Sequence, residues 1–179
     1  MSTVLYFAYG SNLHPVRFRE RLPCARLVAT ASLNQHVLRY HKRGMCGSGK
    51  CNAFHTGKME DRVLGAIYEI NLTEKSALDG FEGDGYTWQA VQLTVHGTLH
   101  EAFAYVAEAS FIDDSLRPYS WYQSLVAQGA RFHGFPLSYI EKFISVNSIS
   151  DPNAARQKRH LKLLARMTSD ETTRALGSH

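Results

Sequence analysis

The order of segments along the sequence predicts an α+β fold, built on a small, mixed, strongly curved or closed β-barrel with flanking helices. Strand-like segments come first, a helix and a β-hairpin follow, and two further helical segments come after them. This order lacks the regular alternation of strand and helix that builds a doubly wound sheet. At 179 residues with 44% hydrophobic content, the chain can fill one substantial core. We therefore expect one domain over residues 1–149, followed by a basic tail or peripheral helix over residues 150–179.

The first predicted strand is an apolar run over residues 4–9 that stops abruptly at Gly10, Ser11 and Asn12. Aromatic and β-branched residues favour a buried strand, whereas Gly, Ser and Asn favour a turn. Such a turn presents backbone N–H groups, and its glycine lets a ligand approach the main chain. The turn can therefore hold an anion or a developing oxyanion, although an ordinary strand-to-helix turn would use the same residues.

A short helix and several strands follow this turn. Pro15 favours the start of the helix and Pro23 its end. Its Arg17, Arg19 and Arg21 either face an anion held at the turn or remain in solvent. Interleaved apolar and polar residues then predict strands at residues 24–33, 35–40, 52–55 and 62–70. The glycines between the second and third of these strands predict a loop at residues 42–50.

A helix in the middle of the chain carries a candidate catalytic carboxylate. Thr73 has the character of an N-cap, and the helix must end near Gly83 or Gly85. Glu82 lies at the end of the apolar helical face, between Phe81 and the glycines, where partial desolvation would raise its pKa. Glu82 is thus a candidate general acid or base, although most glutamates beside a helix-terminal glycine are simply solvated.

The second half of the chain predicts a hairpin and two helices. Alternating apolar and polar residues indicate strands at residues 88–95 and 101–107. Tyr105 lies near the middle of the second strand, where its phenol can donate a hydrogen bond into a cavity or merely fill one. Apolar stripes at helical spacing predict core-facing helices over residues 118–128, ending at Gly129, and over residues 136–146.

Charge and hydropathy narrow the class of protein. The net charge is +4 and the pI about 9.0, and the basic residues are scattered apart from a cluster at residues 156–162. Nucleic-acid binding is therefore not favoured. The sequence has no apolar run long enough to span a bilayer and no basic-then-apolar leader after Met1, so we expect a soluble, cytoplasmic protein that does not bind membranes.

The cysteines and histidines predict no metal site. Cys24, Cys46 and Cys51 lack C-x-x-C spacing, which fits a reducing compartment better than a disulfide framework. Cys46 and Cys51 are flanked by His41 and His55, and all four side chains can bind zinc. The paired close spacings of a zinc knuckle are missing, and glycines separate the candidates. We interpret this segment as a mobile, glycine-rich loop.

Four short motifs, in this order, resemble the gamma-glutamylcyclotransferase family. They are Tyr6 to Leu13 (YFAYGSNL), Leu78 to Gly83 (LDGFEG), Phe103 to Val106 (FAYV) and Gly134 to Tyr139 (GFPLSY). The similarity covers about residues 3–147. Each motif alone is a weak signal, and the ordered set is more specific.

The resemblance implies a mixed β-barrel with a cavity at its mouth, and an activity. Members release 5-oxoproline from γ-glutamyl amino acids or peptides, a reaction of glutathione metabolism that needs no cofactor. The resemblance implies that Glu82 is catalytic and that the substrate is bound by Tyr6, Ala8, Tyr9, Gly10, Ser11, Asn12 and Tyr105. It implies a small γ-glutamyl substrate as the partner, and a monomer or homodimer.

Three alternatives remain open at this stage. The same chemistry can act on γ-glutamyl amines or on an acylated biosynthetic intermediate, because the loop at residues 44–51 and the basic tail depart from the family pattern. A binding module of the same fold could lack catalysis and use its tail to engage nucleic acid or a partner. Ser11 as a hydrolytic nucleophile is disfavoured, since the turn lacks the second glycine of a nucleophile elbow.

Overall fold

Five strands of the computed structural model close into a barrel. The structure describes residues 2–176, and the side chains of residues 2–170. Its strands are β1 (Thr3–Ala8), β2 (Arg26–Asn34), β3 (His36–Arg43), β4 (Gly49–His55), β5 (Arg62–Asn71), β6 (Tyr86–Val95) and β7 (Thr98–Ala107). The barrel has the order β1-β5-β2-β6-β7, while β3 and β4 form a separate hairpin. The predicted fold class is confirmed.

Antiparallel pairing builds most of the barrel, and a parallel contact closes it. β5 lies between β1 and β2 and is antiparallel to both, and β6 and β7 form the predicted hairpin. A parallel bridge between Tyr6 and Phe103 joins β1 to β7. This closure brings the turn after β1 next to Tyr105, because strands that pair in register present their neighbouring residues side by side.

The described helices flank the barrel. They are α1 (Pro15–Arg21), α2 (Lys75–Glu82), α3 (Ser120–Phe132), α4 (Leu137–Tyr139), which continues into a π-helical segment at Ile140–Ile144, and α5 (Ala154–Leu176). A 3₁₀ turn at Leu72–Glu74 precedes α2. The predicted N-cap at Thr73 is wrong, because Thr73 lies inside this 3₁₀ turn and Glu74 is the N-cap of α2. Asn71 caps the 3₁₀ turn, and its backbone N–H donates to Glu74 over 3.3 Å.

The predicted end of α3 at Gly129 is also wrong, since the helix continues to Phe132. Gly129 does not end the helix; it allows α3 to pack closely against Leu13 and His14. A Cβ atom at this position would lie 2.4 Å from the Cβ of Leu13 and 3.0 Å from the backbone nitrogen of His14. α3 therefore packs directly on the turn that follows β1.

Both ends of the predicted loop at residues 42–50 belong to the strands β3 and β4. Lys42 lies in β3 and is only 2% exposed, and Ser48 is buried in the connection. Lys50 lies in β4 directly opposite Lys42. Only residues 44–48 lie outside the two strands. The glycines predicted a longer loop because local propensity does not report burial against the rest of the molecule.

The C-terminal segment packs on the barrel's helical side. α5 contacts α1 and α3, and its Leu163 and Met167 are buried. Before the helix begins, the buried Asp151 accepts hydrogen bonds from Trp121 Nε1 at 2.8 Å and Arg156 Nε at 2.6 Å. A division between residues 1–149 and 150–179 stays a prediction.

Candidate active site

The turn after β1 is held from three directions. The Leu13 backbone N–H donates to the Gly10 carbonyl over 3.1 Å, which closes the turn. The Tyr68 hydroxyl donates to the Leu13 carbonyl over 2.7 Å, and a ring nitrogen of His133 lies 2.8 Å from the same oxygen. With Gly129 packed against Leu13, the turn is a fixed structure and not a free loop.

Glu82 is the last residue of α2 and reaches this turn. Gly83 follows with a φ of 71°, which permits the sharp exit from the helix that an L side chain would strain. The Asn12 side chain donates from Nδ2 to Glu82 Oε1 over 2.7 Å. Arg21 Nη1 lies 3.4 Å from the same oxygen, and the Glu82 side chain is 15% exposed. The structure thus brings together the Glu82 carboxylate and the turn after β1, which the sequence had predicted as separate parts of a site.

A hydrogen-bond chain fixes the orientation of Asn12. Its Oδ1 accepts from Arg21 Nη1 at 3.1 Å, and its Nδ2 lies 3.2 Å from the Tyr6 hydroxyl. Arg21 of α1 thereby contacts both Asn12 and Glu82. Arg21, one of the three arginines that the sequence analysis considered as anion contacts, lies beside the Glu82 carboxylate. Its contact with a bound anion stays a prediction.

The pKa of Glu82 is raised above its ordinary value. Burial is the largest cause, because desolvation penalises the ionised carboxylate. The charges of Arg21, Arg17 and Lys42 and the hydrogen bond from Asn12 act in the opposite direction. A carboxyl group with a raised pKa is a better proton acceptor than an ordinary glutamate.

A small hollow of about 20 Å³ lies between the turn and Glu82. Most of the residues predicted to bind substrate line it, namely Tyr6, Tyr9, Gly10, Ser11, Asn12 and Tyr105. Ala8 does not line it, since its side chain is fully buried in the barrel core. The backbone carbonyl of Tyr105 accepts from the Tyr9 hydroxyl, and the Tyr105 hydroxyl donates to Asp79.

Three further lining residues were not predicted. Cys51, Tyr86 and Tyr122 complete the wall of the hollow. The Cys51 backbone N–H donates to the Tyr122 hydroxyl over 3.2 Å, and the Tyr86 hydroxyl donates to the Cys51 carbonyl. The helical apolar stripe containing Tyr122 indicated core packing. Tyr86 had no local signal, because its place at the hollow depends on where β6 joins the barrel.

A larger cavity of about 270 Å³ adjoins the hollow, and Ser11, Glu82, Tyr86 and Tyr122 line both. It extends between α2, the β3–β4 hairpin and α3. His160 of α5 also borders it and stacks on the Trp121 ring, with 3.7 Å between ring centroids.

Two other structural findings bear on the candidate classes of site. Among the described residues, no group of three or more His, Cys, Asp or Glu side chains is arranged to hold a metal ion. His41 instead has protein partners: its Nδ1 lies 2.8 Å from Asp114 Oδ1, and its Nε2 lies 3.0 Å from Asn52 Nδ2.

None of the helices in residues 2–176 combines the length and the hydropathy that crossing a bilayer requires.

Comparisons with known proteins find similar sequences. A model of the AIG2-like family matches residues 62–143. The gamma-glutamylcyclotransferase of Bos taurus is 29% identical over 161 residues, covering 86% of this chain and 82% of the relative. The human gamma-glutamylcyclotransferase is 27% identical over 150 residues, covering 79% of this chain and 78% of the relative. The chain is thus similar to the AIG2-like family model and to the gamma-glutamylcyclotransferases.

Solved structures extend the likeness to the fold. A solved gamma-glutamyl cyclotransferase superposes with a TM-score of 0.77 at 24% identity, covering 90% of this chain and 99% of that one. The family model covers Glu82 and Tyr105, whereas the turn after β1 lies before its first matched residue. The match to the family and the contact between Glu82 and Asn12 are thus separate observations.

Proposed function

We propose that this protein is a gamma-glutamylcyclotransferase that releases 5-oxoproline from γ-glutamyl amino acids or peptides, with Glu82 as general acid and base. The hydrogen bond between Asn12 of the turn and Glu82 of α2 carries the proposal. It joins a backbone suited to binding an anion to a carboxyl group of raised pKa. The family relatives named gamma-glutamylcyclotransferase support it.

The proposed reaction takes its nucleophile from the substrate. Glu82 accepts a proton from the α-ammonium group, and the freed nitrogen lone pair attacks the γ-carbonyl carbon to close a five-membered ring. The bond from that carbon to the leaving nitrogen then breaks, and Glu82 returns a proton to this nitrogen. The ring nitrogen loses one further proton and the released amine gains one, so charge is conserved. Intramolecular attack is favoured once the chain is bent correctly.

The other site residues have positioning roles in this proposal. Gly10 and Ser11 line the hollow with Glu82, and their backbone is available to the substrate carboxylate or the developing oxyanion. Asn12 and Arg21 orient the Glu82 carboxylate. Tyr105 borders the glutamyl group while its hydroxyl remains bound to Asp79.

Replacing the carboxylate tests the proposal. Glu82→Gln keeps the size and hydrogen-bonding shape of the side chain but removes the proton exchange. We expect 5-oxoproline formation to fall by about 10²- to 10⁴-fold, which is the usual contribution of a positioned acid or base. The assay measures 5-oxoproline from a panel of γ-glutamyl amino acids, γ-glutamyl amines and glutathione.

The matched control is Glu60→Gln, on the exposed connection between β4 and β5. This variant should keep the activity of the unsubstituted protein. Thermal unfolding of both variants shows whether each is folded. A folded Glu82→Gln protein with near-full activity would remove Glu82 from the proposed role, and an unsubstituted protein without activity on the whole panel would contradict the proposed function.

A further inference from the structure

The cavity of about 270 Å³ beside Glu82 is strongly cationic. Its charged lining consists of Arg17, Arg21, Lys42, Lys50 and the carboxylate of Glu82. Both arginines have acidic neighbours, because Arg17 lies 3.7 Å from Glu20 and Arg21 lies 3.4 Å from Glu82. The two lysines are different: within the described part of the chain, neither has a carboxylate oxygen within 4.0 Å.

Lys42 and Lys50 are direct cross-strand partners in the β3–β4 hairpin. Side chains directly opposite each other in an antiparallel pair lie on the same face, and like charges there are destabilising. The Nζ of Lys42 lies 4.3 Å from the centroid of the Tyr86 ring, and that of Lys50 lies 4.4 Å from the centroid of the Tyr122 ring. The fold thus holds two ammonium groups of the same sign against aromatic walls at one cavity.

Desolvation adds to the cost of this arrangement. Burial lowers the pKa of Lys42 and of Lys50, because it disfavours their charged forms. Their hydrogen bonds are to neutral acceptors: Lys42 donates to the Asp84 carbonyl over 2.5 Å, and Lys50 donates to the Ser48 hydroxyl over 2.9 Å. An anionic ligand in the cavity would offset both the mutual repulsion and the missing counter-charges.

We infer that this cavity binds the leaving group of the γ-glutamyl substrate, and that this leaving group carries two carboxylates, one for each lysine. The inference rests on the proposed function, which puts the reacting amide bond beside Glu82. The adjoining cavity is then the space available to the departing amine. An amino acid with an acidic side chain, released from a γ-glutamyl dipeptide, has the required charge.

The experiment compares substrates that share the glutamyl group and differ in the charge of the leaving group. γ-Glutamyl-glutamate releases an amine with two carboxylates, γ-glutamyl-glutamine is its near-isosteric analogue with one, and γ-glutamyl-propylamine has none. We expect kcat/KM to rise about tenfold for each carboxylate, as a charge-assisted hydrogen bond allows. A ratio near one between the glutamate and glutamine peptides would overturn the inference.

Two lysine variants identify the residues responsible. Lys50→Met and Lys42→Met remove the charge while keeping an apolar chain of similar length. The variant of the lysine that binds the side-chain carboxylate should lose the preference of about tenfold for γ-glutamyl-glutamate over γ-glutamyl-glutamine. The variant of the other lysine should lose the preference of about tenfold for γ-glutamyl-glutamine over γ-glutamyl-propylamine. The control, Lys58→Met on the exposed connection after β4, should keep the preference. An unchanged preference in both cavity variants would overturn the assignment.

A competing partner for Lys50 is the thiol of Cys46, whose Sγ lies 3.2 Å from the Ser48 hydroxyl that Lys50 also contacts. Cys46→Ser separates the two explanations. If Lys50 serves the substrate, this variant keeps the preference for γ-glutamyl-glutamate. If Lys50 is instead the counter-charge of a Cys46 thiolate, removing the thiol frees the lysine, and the preference should rise in the variant; such a rise would overturn the inference.

A binding measurement keeps this inference distinct from the proposed function. Calorimetric titration of γ-glutamyl-glutamate into the Glu82→Gln protein reports binding without turnover. Binding that weakens about tenfold on adding Lys50→Met supports the dicarboxylate site even if the unsubstituted protein forms no 5-oxoproline. Absence of measurable binding, or binding equal to that of γ-glutamyl-glutamine, would contradict it.

Discussion

At the scale of single residues, Asn12 is the link between the turn and the carboxylate. One amide group contacts Glu82 at 2.7 Å, Arg21 at 3.1 Å and the Tyr6 hydroxyl at 3.2 Å. The turn motif was recognisable from residue types, but this role of Asn12 was not, because its hydrogen-bond partners come from other segments. Asn12 is therefore the residue to substitute in order to disturb the site without removing Glu82.

We predict that Asn12→Ala lowers kcat for 5-oxoproline formation by about 10- to 100-fold, the loss expected for one hydrogen bond to a charged group. Asn12 lowers the pKa of Glu82 by stabilising its ionised form, so the substitution raises that pKa further. The base must be deprotonated to act, and activity falls as the pH drops through its pKa. The acidic limb of the profile of kcat/KM against pH should therefore move to higher pH.

Asn34→Ala is the control for this experiment, because Asn34 is exposed on β2 and its side chain donates to Thr94, which does not line the hollow. It should leave both the rate and the pH profile unchanged. An acidic limb at the same pH in Asn12→Ala and the unsubstituted protein would show that Asn12 does not act on Glu82.

At the scale of elements, α3 is the support on which the turn rests. Gly129 allows the helix to touch Leu13 and the backbone of His14. The sequence predicted the existence of α3 and its buried face, but placed its end at Gly129. Glycine near a helix end usually signals a C-cap, and only the packing partner reveals that this glycine makes room for another segment.

We predict that Gly129→Ala destabilises the protein by about 2 kcal/mol or more, since a methyl group forced into a packed contact costs about 1–3 kcal/mol and the neighbouring atoms are partly backbone. Helix propensity alone would change stability in the opposite direction. Urea unfolding followed by circular dichroism measures the change, and 5-oxoproline formation should fall with displacement of the turn.

Gly80→Ala in α2 is the matched control, because a Cβ atom at this position would have no atom of another described segment within 4 Å. It should stabilise the protein by about 0.5–1 kcal/mol through helix propensity. Equal effects of the two substitutions on stability would mean that α3 does not press on the turn.

At the scale of the whole molecule, α5 joins the C-terminal segment to the barrel's helical side. It buries Leu163 and Met167, and it brings His160 to the edge of the cavity beside Trp121. Burial lowers the pKa of His160 to about 4, so the ring stays neutral at physiological pH and adds no charge to the lysine pair. The composition of the tail predicted a helix or a disordered segment, and did not predict these contacts.

We predict that Met167→Ala destabilises the whole protein by about 2–5 kcal/mol, as expected for a fully buried methionine. If α5 and the barrel unfold as one unit, tryptophan fluorescence and circular dichroism should report a single, coincident transition at lower urea concentration. Leu161→Ala, at an exposed position of α5, should change stability by less than about 1 kcal/mol. A separate early transition in Met167→Ala would instead support an independent unit after residue 149.

Local patterns of residues predicted the fold class, most strand positions and two features of the candidate site. Alternation, helical periodicity and turn residues act over a few positions, so they are readable without knowing the neighbours in space. The turn at Gly10 to Asn12 and the helix-terminal Glu82 belong to this group. The ordered motifs also predicted the similarity to gamma-glutamylcyclotransferases, because each motif is a short stretch of local sequence.

How these segments form a site depends on contacts between distant parts of the chain. Asn12 and Glu82 are 70 positions apart, and they meet because the barrel closes through β1 and β7 while α2 ends beside the turn. Tyr86 reaches the hollow from β6 of the barrel and Tyr122 from α3, while Lys42 and Lys50 line the cavity from the separate β3–β4 hairpin. Contacts between distant segments depend on burial and packing of the whole chain, which no local pattern of residues records.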